Sequence, residues 1–146
     1  EFLDEPEIIK IGVEAEETAA LSNGTPGIMQ GMKTYMLQTA DGSKSLGGAS
    51  LGAGIQYFSV GPQHSFLKDQ GAVTYTSATD KEILEAYKLV ASTEGICSAL
   101  EPMAGAAELI KQAKNKPKDY LICLNLCGTG EKDLNTIQEH IGKDFE

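Results

Sequence analysis

Between Val73 and Leu126 the sequence alternates short apolar runs of strand character with two segments of helical period. That alternation restricts the fold more than any other feature. Parallel strands need a long crossover, and a helix usually supplies it. Residues 73–78 are rich in β-formers and follow Gly71. Residues 120–126 are nearly continuous in apolar side chains, the pattern of a strand buried on both faces. Residues 8–13 form a third such run, β-branched and bounded by acidic residues. Thr79-Asp80-Lys81-Glu82 has the spacing of a capping box. Ile83, Tyr87 and Val90 then share one face up to Gly95, which predicts a helix over 80–94. Pro102 suits a first turn, and Ala106, Leu109, Ile110 and Ala113 make the stripe of a helix over 102–115. Two further helices are expected, one from Pro62 to Gln70 and one after Gly130 carrying Leu134, Ile137 and Ile141. The expectation is an α/β fold, a parallel sheet covered by helices.

From Gly24 to Gly61 the pattern breaks down. This stretch holds nine glycines and little periodicity, with a tight turn expected at Asp41-Gly42. So long an excursion is uncommon inside a compact domain unless it has a function. The 146 residues are one domain's worth, yet three strands are few for a complete α/β domain. The chain is therefore expected to be one partial domain, residues 1–146, of a larger fold. It opens Glu1-Phe2 without methionine, as expected if a native N-terminus was removed or if the chain is a piece of something longer.

Charge narrows the partners. Acidic residues outnumber lysines by 21 to 12, arginine is absent, and the net charge is −9. Nucleic-acid binding rests on clustered Lys and Arg, so no such partner is expected. No apolar stretch reaches the roughly 20 residues of a membrane span. Cys97, Cys123 and Cys127 form no C-x-x-C pair, which points to neither a disulfide framework nor a zinc site. Cys123 and Cys127 lie in or beside an apolar run and are expected to be small buried hydrophobes. A reduced, cytoplasmic protein is the expectation.

Cys127-Gly128-Thr129-Gly130-Glu131-Lys132-Asp133 separates an expected strand from an expected helix. In open parallel sheets ligands bind at the carboxyl ends of strands. Glu101, between an apolar run and Pro102, reads as an N-terminal cap, a paired acid or a functional carboxylate. His64 reads as a base or a hydrogen-bonded group in a first helical turn. From the residues alone, a ligand at the strand ends is supported and no particular reaction is.

Several strings taken in order go further. Gly31-Met32-Lys33 and Met36-Leu37-Gln38-Thr39-Ala40-Asp41-Gly42 are followed by Ser50-Leu51-Gly52-Ala53-Gly54 and Val60-Gly61-Pro62-Gln63-His64. Thr79-Asp80, Ala99-Leu100-Glu101 and Asn125-Leu126-Cys127-Gly128-Thr129-Gly130 complete the series. Together they resemble the C-terminal portion of the β subunit of tryptophan synthase, a fold type II enzyme dependent on pyridoxal phosphate. The resemblance implies a homodimer that binds two α subunits and joins L-serine to indole delivered through a tunnel. It places the Schiff-base lysine and the phosphate-binding loop upstream of the matched region, so no catalytic residue is carried over and the isolated chain is expected to be inactive. It implies that Gly54, Glu101 and Cys127 wall the cofactor, Cys127 standing where the family has a serine on the pyridine nitrogen. It further implies a monovalent-cation site at the carbonyls of Tyr57 and Ser59, and a tunnel lining at Met29 and Gln30.

The chain departs from the family pattern at several of these places. Gln56 replaces an aspartate that helps close the site, and Phe58 takes the place of a Pro or small residue. Gln30 puts an amide into an apolar lining, and Ala104-Gly105 replace His-Ala. The alternatives are a non-catalytic α/β binding or assembly module, or another fold type II enzyme such as a deaminase.

Overall fold

The computed structural model describes residues 2–141. Two strands, β1 (Ile11–Ala15) and β4 (Thr74–Ala78), pair in parallel, Ile11 opposite Thr74 and Ala15 opposite Ala78. Gly12 permits this approach: a Cβ there would lie 2.6 Å from the Tyr75 ring. A short helix α1 (Ala20–Asn23) follows β1. The Glu14 carboxylate accepts from the N–H groups of Leu21 and Ser22 at 2.9 and 2.8 Å, satisfying donors that this short helix leaves unpaired.

The glycine-rich excursion has internal order. Strands β2 (Thr25–Met29) and β3 (Met32–Met36) form an antiparallel hairpin. Its two-residue turn, Gln30-Gly31, has φ of 49° and 80°, the signature of a type I′ connection. The turn expected at Asp41-Gly42 is present. Gly42 has φ 69° and donates its N–H to the Thr39 carbonyl at 2.8 Å. A helix α2 (Pro62–Asp69) then returns the chain to β4.

Helix α3 (Asp80–Glu94) carries the expected capping box, with both Thr79–Glu82 hydrogen bonds formed, and ends at Gly95 with φ 68°. Helix α4 (Leu100–Ala113) starts two residues earlier than Pro102. A 3-10 turn over Gly130–Asp133 leads into α5 (Leu134–Ile141). The core lies where α4 packs on the β1–β4 pair, with α3 packed on α4 and α5 on α3. Ile83, Leu100 and Met103 are fully buried there, beside the buried Ala15, Ala78 and Ile137. Among the described residues no helix is long and apolar enough to cross a membrane.

Two expectations need correction. The run at 8–13 becomes strand only from Ile11, and it extends to Ala15. The expected strand at 120–126 does not form: among the described residues it has no strand partner, and Leu121 is 90% exposed. A strand is defined by its ladder, and an apolar run without an adjacent backbone has none. The segment instead lays Leu124 over α4, against Gly105, where a Cβ would come within 2.9 Å of the leucine. Cys123 and Cys127 are exposed rather than buried, as no layer covers this side of the segment within the described residues; Cys97 is exposed as well.

Candidate functional site

The N-terminal end of α4 gathers the polar groups. Glu101 lies in its first turn, and its Oε1 accepts the Gly54 N–H at 2.7 Å. Gly54 belongs to a 3-10 turn, Ala53–Ile55. A side chain at 54 would collide with this carboxylate, a Cβ falling 2.8 Å from Oε1. Lys132 donates to both Glu101 oxygens at 2.8 Å and also to Asp133 at 2.8 Å. Asp133 in turn accepts the Leu100 N–H at 2.9 Å, satisfying one of the free donors at the helix start. The Glu101 and Asp133 side chains are only 17% and 5% exposed, so their attraction for Lys132 is poorly screened. Burial alone would raise the Glu101 carboxyl, but the Lys132 ammonium and the Gly54 N–H overcome it and hold the group below its ordinary value. Lys132 is correspondingly raised against the opposing effect of its own burial.

Cys127 reaches the same helix end from the other side. Ser98 and Thr129 form an antiparallel bridge, Gly130 donates to the Cys97 carbonyl at 3.1 Å, and Ser98 Oγ donates to the Cys127 carbonyl at 3.4 Å. Gly128 makes the bend with φ 74°, so close to Ala99 that a Cβ would lie 3.0 Å from the alanine methyl. The Cys127 backbone is thus carried beside the entry to α4, and its side chain is exposed.

A cavity of about 360 Å³ adjoins this cluster through Gly54. Tyr57 and Ser59 line it, together with Glu14, His64 and Tyr75. His64, in the first turn of α2, hydrogen-bonds the Tyr75 hydroxyl at 3.0 Å and meets its ring edge-on. Gln56 is tied down, its amide donating to the Ser50 carbonyl, while the Ser50 hydroxyl donates to Asp80 at 2.7 Å.

The structure therefore brings Gly54 and Glu101 into contact and Tyr57 and Ser59 into one cavity. It places Met29 and Gln30 at the hairpin tip, where neither lines that cavity. Ala104 is buried in α4 as core. Lys132, the partner of Glu101, carried no assigned role in the sequence. Its signal was present, a lysine within the Gly130-Glu131-Lys132-Asp133 string, yet only the tertiary fold sets it opposite Glu101.

In fold the chain is an α/β domain, a parallel strand pair covered by helices. It is similar to O-ureido-L-serine synthase (TM-score 0.68, 16% identity, 96% of this chain and 36% of the other). It is also similar to a threonine deaminase (TM-score 0.53, 14% identity, 80% and 39%). No family model matches. In sequence the chain is similar to tryptophan synthase beta chains. It is 44% identical to that of Cereibacter sphaeroides, 43% to that of Dinoroseobacter shibae and 44% to that of a Ruegeria species. Each alignment covers 99% of this chain, and the chain spans little more than a third of the relatives' length, 36–37%.

Proposed function

We propose that this chain is the C-terminal part of a tryptophan synthase β subunit, a pyridoxal-phosphate-dependent lyase that converts L-serine and indole to L-tryptophan and water. The observation that carries the reading is the alignment with beta chains at 41–44% identity along almost the whole sequence. The deaminase and the ureidoserine synthase share the fold at far lower identity and argue for the class alone.

The residues fit one wall of a cofactor site. Gly54 has no side chain to intrude, and the Glu101 carboxylate is seated on its N–H rather than free to swing. Bound pyridoxal phosphate supplies an electron sink for chemistry at an amino-acid α-carbon. Around it, Glu101, its charge balanced by Lys132, would lie against the ring. Cys127 would offer the pyridine nitrogen a neutral, weak donor. The lysine that holds the cofactor and the loop that binds its phosphate belong to the upstream part of the subunit. The carbonyls of Tyr57 and Ser59 are assigned to a monovalent cation, and Met29 and Gln30 to the indole tunnel. A homodimer with α subunits, in the cytoplasm, completes the reading.

The test is tryptophan formation from serine and indole by the intact subunit carrying this sequence, with and without an α subunit. Tryptophan formation supports the reading, and Cys127→Ser is then expected to raise the rate several-fold, since a hydroxyl is the better donor. Pyruvate from serine without tryptophan points instead to a deaminase. A subunit that binds no cofactor would favour an assembly module, the reading to which Gln56, tied to Ser50, lends support.

A further inference from the structure

The Glu101 carboxylate is held by two groups from distant parts of the chain, the Gly54 N–H and the Lys132 ammonium. We infer that Lys132 is a positioning residue: by gripping both oxygens of Glu101 it fixes the carboxylate on Gly54 and so orders the wall of the proposed cofactor site. This deepens the functional reading above and rests on it for its catalytic consequence, though not for its geometry.

The arrangement joins three segments. The turn at Ala53–Ile55 meets α4 through Gly54 and Glu101, and Lys132, on the 3-10 turn ahead of α5, faces them. Asp133 adds a second anchor, since it binds both Lys132 and the Leu100 N–H and thereby registers the 3-10 turn on the start of α4. A carboxylate with rotatable bonds at Cβ and Cγ would otherwise sample several rotamers, and one N–H alone is a weak restraint. A charge-assisted bond to each oxygen is stronger and selects a single orientation. Lys132 is itself half exposed, so its side chain has no packing role that would require a lysine.

The experiment measures hydrogen exchange in the intact subunit, peptide by peptide, for Lys132→Met, Lys132→Gln and Lys132→Arg. Exchange at Gly54 is expected to rise about tenfold in the Met and Gln variants and to stay within about threefold of the parent in the Arg variant, which keeps the charge. Amides of α3 should be unchanged in all three. Gly54 exchange that is unaltered in both neutral variants overturns the inference. So does a tenfold rise in the Arg variant as well, since charge would then be irrelevant. If the Met variant loses protection throughout, the nearly isosteric Gln variant carries the comparison alone. In the loaded enzyme, kcat is expected to fall about tenfold while KM for serine changes less than about twofold, the mark of an interaction that matters in the transition state. A parent subunit that makes no tryptophan would sink the functional reading and leave the exchange result standing.

Discussion

A single missing side chain decides the geometry at Gly54. Alanine there would set its methyl 2.8 Å from Glu101 Oε1 and 3.1 Å from Cγ. The carboxylate must then leave either the Gly54 N–H or Lys132. Gly54→Ala is expected to destabilise the subunit by about 1–3 kcal/mol, readable in a urea titration. Titration offers a second check at this scale. Glu101 and Glu82 are depressed below their ordinary 4.5, Glu82 chiefly by the Thr79 N–H. Asp41 is lowered from 3.8 to about 2 by the hydroxyl of Thr39 and by Ser43. Depressed carboxyls favour the folded state while ionised. Their contribution is therefore complete above the ordinary values and is lost as pH falls through the lowered ones. Melting temperature should drop as pH is taken from 4.5 to about 2. Asp41→Asn should flatten the lowest part of that curve. Of the site, Glu101 and the glycine string were legible as residue types in a suggestive order. The Lys132 contact was not, because it joins positions 31 residues apart whose approach depends on how α5 docks.

At the scale of elements, local signals were reliable where a helix closes on itself. The Thr79 capping box and Gly95 marked α3 correctly because both act within one turn of the chain. Residues 120–126 misled because apolar content marks a run suited to cover, while both burial and pairing depend on neighbours that the described residues do not supply. The hairpin was missed for the opposite reason. Gln30-Gly31 lacks the Asn or Asp that normally announces a type I′ turn, although Gln30 adopts φ 49°. That mismatch predicts a gain: Gln30→Asn should stabilise the hairpin by about 0.5–1 kcal/mol, measured as a raised urea midpoint, because asparagine tolerates the left-handed region. Any change in indole handling by the same variant would report separately on the proposed tunnel position.

For the whole molecule, the alternation of strands and helices was enough to give the class, since parallel pairing with helical cover is nearly the only arrangement it allows. A parallel sheet of two strands is narrow, and both outer edges carry unpaired backbone. Ile9, Ile28, Tyr57 and Leu121 are also exposed. The 146-residue chain by itself is expected to self-associate despite its charge of −9. Sedimentation should show mass rising with concentration, and a monomer across a hundredfold range of concentration would contradict this.

The pairing of Ile11 with Thr74 also sets a timetable for synthesis. The β2–β3 hairpin has its partners close by and can close in about 1–10 μs once it clears the ribosome. Strand β1 emerges before it and has to wait for β4. At about 5–20 residues per second, that wait lasts several seconds. Throughout it the edge of β1 that takes β4 stays unpaired, and the yield of folded protein depends on what shields that edge in the interval.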